Sequence, residues 1–190
     1  MKSLYKNILL YLLFAVIFSV VGYQMTIRYL PNFIYNKVHN RAFERNKADN
    51  TLSYHDLPTD TLRSVVMPNP DFLYVSCFYD VSESPLHFTG TLPDSSYWSV
   101  SFYEPNTINW YVKNDMEYDS NKLDLVLSKR NQQYKPDFAG AESAVSPNDK
   151  GFMLIRIVVT DSSPETLKKY KDWQQSIKLE MIGTEIESEI

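Results

Sequence analysis

From Asn7 to Ile27 the chain carries no charged residue, and Ile8 to Val21 is almost entirely Leu, Ile, Val, Phe, Ala and Tyr. About 20 such residues cross the hydrocarbon core of a bilayer as a helix. That stretch fixes the first division of the chain: a hydrophobic anchor, then whatever the remaining residues fold into. A cleaved signal peptide shares the basic start but has a shorter apolar core and a small-residue cleavage site. Here the apolar run continues into Tyr23, Met25 and Ile27, and Val20-Val21-Gly22 is a poor cleavage site. A buried core helix is disfavoured because the run is apolar all round. The reading is a retained transmembrane helix over 7–28, preceded by a short tail, 1–6. The basic groups on its two sides balance (Lys2, Lys6 and the terminal amine against Arg28, Lys37 and Arg41), so charge alone does not orient it. A short charged tail before a first apolar helix usually stays in the cytoplasm. The chain is therefore expected to cross the membrane once, with the main domain periplasmic or extracellular.

Charge then separates the two parts. Residues 1–47 hold seven Lys/Arg against Glu44, or +6; the remainder holds 12 basic and 22 acidic residues, or −10, summing to the net −4. An acidic main domain excludes nucleic acid as an expected partner. Between anchor and domain, over 29–49, Lys37, Arg41 and Arg45 recur four apart and so share one helical face. Two readings are open: an ordinary solvated helix, or a face that meets anionic headgroups. Pro31 is placed to kink or end the anchor helix, and Ala48 to Asp60 reads as a polar linker.

The stretch VVMPNPDFLYVSCFYD (65–80) governs the rest. Pro68 and Pro70 remove backbone donors and bar a helix, and Asn69 and Asp71 can bond nearby N–H groups to close a turn. Phe72 to Tyr79 is aromatic, β-branched or small, which suits a strand covered on both faces. Further strands follow at Pro85–Leu92, Tyr97–Tyr103, Ile108–Lys113, Leu123–Ser128, Glu142–Ser146 and Phe152–Thr160, separated by turns such as Pro93-Asp94-Ser95-Ser96 and Pro147-Asn148-Asp149-Lys150-Gly151. Within Tyr97–Tyr103, Trp98, Val100 and Phe102 alternate with Ser99 and Ser101. Ser163-Pro164-Glu165 starts a helix running to Ile177. Lys178–Ile182 adds a last strand, and 183–190 is an acidic tail. The expected fold is mainly β: a jelly-roll-like or sandwich β domain over 50–182, with the N-terminal transmembrane helix and a C-terminal helix packed on the sheet.

VVMPNPDFLYVSCFYDVSESPLHFTG, then SYWSVSFYEPNTINWYVKND, then SPNDKGFMLIRI together resemble the domain of unknown function 1254 family, specifically its short, membrane-anchored bacterial members. The resemblance runs from about Asn50 to Val159. It implies a β fold and a companion protein carrying the domain of unknown function 1214, which longer relatives join to this domain. It implies no reaction.

No phosphate loop, zinc motif, dinucleotide fingerprint or nucleophile elbow occurs in the sequence, and no cofactor or metal is expected. His39, His55 and His87 are widely spaced; His87 reads as a satisfied or exposed strand histidine rather than a ligand. Cys77, the single cysteine, reads as a small buried hydrophobe. The candidate ligand-binding residues are Arg156, Tyr74, Asp71, Asn69 and Asp80. Arg156 stands out as a guanidinium inside FMLIRIVVT. It calls for an ion pair to Asp71, Asp80 or Asp115, or for an anion at a pocket mouth. Asp71 and Asp80 would lie about 30 Å apart on one extended strand, too far to act as a carboxylate pair. Two functions are open: docking of a partner protein through an aromatic-rich surface, or binding of a small anionic or sugar-like ligand by Arg156, Tyr74 and an Asp.

Overall fold

The computed structural model describes residues 2–59, 68–118, 120–132, 138 and 140–183. The expected acidic tail beyond Gly183, the start of the 65–80 turn and most of the polar 129–139 stretch lie outside them.

The chain opens with one helix, α1 (Lys2–Asn46), 45 residues long and about 68 Å at 1.5 Å per residue. It is long and apolar enough to cross a membrane. Pro31 lies inside it and does not end it. One lost backbone bond is tolerated where the helix resumes on both sides, so anchor and juxtamembrane segment form one rod.

Among the described residues nine strands follow: β1 (Ser53–His55), β2 (Phe72–Asp80), β3 (Leu86–Thr91), β4 (Trp98–Tyr103), β5 (Asn109–Asn114), β6 (Lys122–Lys129), β7 (Glu142–Ser146), β8 (Lys150–Val158) and β9 (Lys178–Met181). Helix α2 (Pro164–Ser176) precedes β9. One sheet has the order β1-β2-β8-β4-β5, the other β7-β6-β3-β9. All pairings are antiparallel except β6 with β7. The segment expected to be linker thus contains β1. At three residues it is too short to show a periodicity, and it forms because β2 offers a partner edge.

Between the sheets lies one core. Leu73, Val75, Cys77 and Tyr79 of β2 face it with Trp98, Val100 and Phe102 of β4 and Met153, Ile155 and Ile157 of β8. The second sheet contributes Leu86, Phe88, Leu123, Leu125 and Leu127. The two sheets close differently at their sides. On one, α2 bridges the first sheet to the second: Gln174, itself buried, donates to the carbonyls of His55 and Tyr74, and Ser176 bonds the backbone of Thr91. On the other, Glu142 of β7 accepts from Tyr111 and pairs with Lys113, both on β5.

The C-terminal half of α1 packs on the outer face of the first sheet. Tyr35 and His39 set their rings edge-on to Phe78, at 5.4 and 5.0 Å, and Phe78 packs on Phe152. The Tyr35 hydroxyl donates to the Gly151 carbonyl.

Candidate functional site

Strand alternation sends Tyr74, Ser76 and Phe78 to the outer face of the first sheet, opposite the core residues of the same strand. Arg156 comes from β8 onto that face, in register with Tyr74 on one side and Ser99 on the other. Its Nη2 donates to Ser101 Oγ at 3.3 Å. Among the described residues its Nε is buried with no acceptor, and the neighbouring Ser99 Oγ is likewise buried without a partner. Ser99 and Ser101 are fully buried although they point away from the core. The ion pair expected for Arg156 does not form: among the described residues no carboxylate, and so none of Asp71, Asp80 and Asp115, pairs with it. The register explains this. Asp71 and Asp80 lie at the two ends of β2 while Arg156 sits beside its middle, and Asp115 turns back at the end of β5, its N–H donating to Trp98 O.

Asn69, Asp71 and Tyr74 do meet. The Asn69 side-chain oxygen accepts the Asp71 N–H at 2.9 Å, and the Tyr74 hydroxyl accepts the Asn69 N–H at 2.9 Å. The turn is therefore closed by the Asn69 side chain, not by that of Asp71. Asn69, Asp71 and Tyr74 thus form one polar group on the outer face; Arg156 is level with Tyr74 in register but bonds Ser101 of β4, and the strand-length separation keeps Asp80 apart.

Asp80 belongs to a second group that fastens α1 to the sandwich. The Asn50 side chain exchanges two bonds with the Asp80 backbone, and Asn50 itself has the positive φ of 57°. The Asp80 carboxylate accepts from Lys150 at 2.9 Å; Lys150 reaches Asp49 at 3.3 Å; Asp49 meets His39 of α1 at 2.6 Å. Partial burial pushes the Asp80 carboxyl up, but bonds from Ser82 and Lys150 outweigh it and its pKa is lowered. Asp49, Asn50, Asp80 and Glu83 line a shallow groove of about 220 Å³. Among the described residues no cluster of His, Cys, Asp and Glu could hold a metal ion.

His87 is a satisfied histidine, as the sequence indicates: Nε2 lies 2.7 Å from Asp124 and the ring meets Phe138. Cys77 is buried, and burial pushes its thiol up to about 12.

One surface was not legible from the sequence. β5 ends the first sheet, so one of its edges has no partner strand among the described residues. Val112 of β5 is 50 % exposed, Ile108 just before the strand 56 % and Met116 in the turn after it 88 %, and Val145 of β7, on the same side of the sandwich, is 52 % exposed. Beyond α1, these are four of the seven large exposed hydrophobic residues among those described. Only the short length of INWYVK hints that it is an edge.

No curated protein matches this sequence. Among solved structures, the chain is similar to the VPA0106 protein from Vibrio parahaemolyticus, with a TM-score of 0.61 and 12% identity over 80% of this chain and 35% of that one. It is also similar to an uncharacterized protein from Burkholderia cenocepacia, with a TM-score of 0.50 and 14% identity over 80% of this chain and 41% of that one. At such identities the likeness shows the β fold. The chain spans less than half the length of either structure. The model of a family described as "Protein of unknown function (DUF1254)" matches residues 50–181, more than half of the chain, and this protein belongs to that family.

Proposed function

We propose that this protein is a single-pass, membrane-anchored docking subunit of the bacterial inner membrane. In this reading α1 spans the bilayer, the tail before it lies in the cytoplasm, and the sandwich stands in the periplasm. A partner protein binds along the β5–β7 side. The carrying observation is the edge of β5, free among the described residues, with Val112 exposed on the strand and Ile108 and Met116 exposed beside it. Unpartnered edges are usually shortened, charged or covered, and α2 covers the opposite side of this sandwich but not this one. The length of the similar solved structures supports the same reading: each has more than half of its chain beyond the part matched here. A companion carrying the domain of unknown function 1214 is the partner the family resemblance implies. The acidic sandwich disfavours nucleic acid.

The test is native mass spectrometry of the full-length protein, purified in mild detergent from its own host. The wild type carries an added mass of protein size, and Val112→Lys with Met116→Lys removes it without lowering the melting temperature. A wild type without protein-sized mass refutes the docking reading.

A second reading rests on the unpaired Nε of Arg156 and the unpaired Ser99 Oγ. A small anion seated beside Tyr74 would supply the missing acceptor for the guanidinium. The added mass is then that of a small molecule, and Arg156→Gln abolishes it.

A further inference from the structure

We infer that α1 enters the membrane tilted and lays Lys37 and Arg41 on the phosphate layer of an anionic bilayer, which sets how the sandwich sits above it. The inference rests on the reading of α1 as a membrane span.

The uncharged run Asn7–Ile27 spans about 32 Å, close to an upright crossing, and the stretch a bilayer can hold lengthens beyond that once Arg28 snorkels. From Ile8 to Ile34 the only charged residue of α1 is Arg28. These residues span about 40 Å along the axis, against about 30 Å of hydrocarbon, and an excess of that kind is accommodated by tilt. Arg28 can snorkel to the interface from a position near the end of such a span. Lys37 follows Ile34 by less than one turn, about 4.5 Å along the axis, within the headgroup layer.

A tilted helix presents one face to the membrane, and the structure offers one. Leu30, Phe33, Ile34, Lys37, Val38 and Arg41 line a single groove of about 200 Å³. Tyr35 and His39, which carry the sandwich, are each two residues from Lys37 and from Arg41 respectively, about 200° around the helix. The sandwich is thus held on the side away from the basic stripe. Among the described residues neither Lys37 nor Arg41 pairs with a carboxylate, whereas Lys113, Lys129, Lys150 and Lys171 of the sandwich each do. The charge fits the same arrangement: on the sandwich side of the span, residues 28–47 hold five Lys/Arg against Glu44, or +4, and are drawn to an anionic surface, while the −10 remainder is repelled from it.

The test uses full-length protein in nanodiscs of phosphatidylcholine mixed with phosphatidylglycerol, with the lipids that stay on the ejected protein counted by mass spectrometry. Phosphatidylglycerol is enriched at least about fivefold over its share of the disc, the scale expected of two basic residues near the surface. Lys37→Gln with Arg41→Gln returns it to that share, and both residues are exposed, so the fold survives. Retained lipids in bulk proportion, or enrichment that survives the double substitution, overturns the inference. Loss of a protein-sized mass in the double variant without lipid enrichment in the wild type also overturns it and assigns the stripe to an acidic protein. Failure of the protein to enter the discs instead overturns the membrane reading on which the inference rests.

Discussion

Arg156 shows how far a residue's identity reaches and where it stops. Its position inside FMLIRIVVT marks it as exceptional, and that was legible. Its partner was not, because partner choice depends on strand register, which aligns it with Tyr74, Ser99 and Ser101 and leaves the candidate carboxylates at strand ends and turns. A buried guanidinium nitrogen without an acceptor contributes no stability, and an apolar replacement of similar shape is often neutral or stabilising. Arg156→Met therefore leaves the melting temperature unchanged or raises it; a loss of several degrees would show that Arg156 holds the sheet together. His55 gives a pH signature. Burial, then the nearby Arg45, lowers its pKa below the ordinary histidine value of 6.5. As pH falls below 6.5 the unfolded chain takes up a proton that the folded chain refuses, so stability declines with acidification in that window. Thermal melting between pH 7 and 5 should fall more steeply for the wild type than for His55→Gln. Gly151 is constrained by space: a Cβ there would collide with the Tyr79 hydroxyl and the Tyr103 carbonyl. Overpacking of this kind costs about 1–3 kcal/mol, so Gly151→Ala should shift the denaturation midpoint accordingly.

Among the elements, strands with long alternation were readable and short or context-dependent ones were not. The strands expected at Phe72–Tyr79 and Phe152–Thr160 appear as Phe72–Asp80 and Lys150–Val158, the second shifted two residues earlier so that Lys150 and Gly151 leave the expected turn, and their inward and outward directions follow from a period of two. β1 lacks the length to show any period. The parallel pairing of β6 with β7 depends on a connection that local sequence does not encode. Pro31 misleads in the other direction: it disfavours a helix locally, but the helix continues through it. The continuity couples α1 to the sandwich through Tyr35 and His39. Tyr35→Ala removes the ring contact with Phe78 and the bond to Gly151, and should cost about 1–2 kcal/mol in full-length protein. An unchanged denaturation midpoint would mean that the helix merely tethers the domain.

At the scale of the molecule, the sequence divides cleanly into a basic, apolar rod and an acidic β domain, and both appear. What charge and periodicity cannot convey is how the two sheets close. One side is sealed by α2 through Gln174 and Ser176; among the described residues the other is clasped by Glu142 and β5 has a free edge. That asymmetry is the basis for reading the protein as a docking subunit with its free side toward a partner. The most direct measurement is photo-crosslinking in the host from a probe replacing Val112 on β5, compared with a probe replacing Lys178 on β9. A single protein adduct from Val112 and none from Lys178 is the predicted result. No adduct from Val112, or equal adducts from both positions, would contradict the assignment of the β5 edge as the docking side.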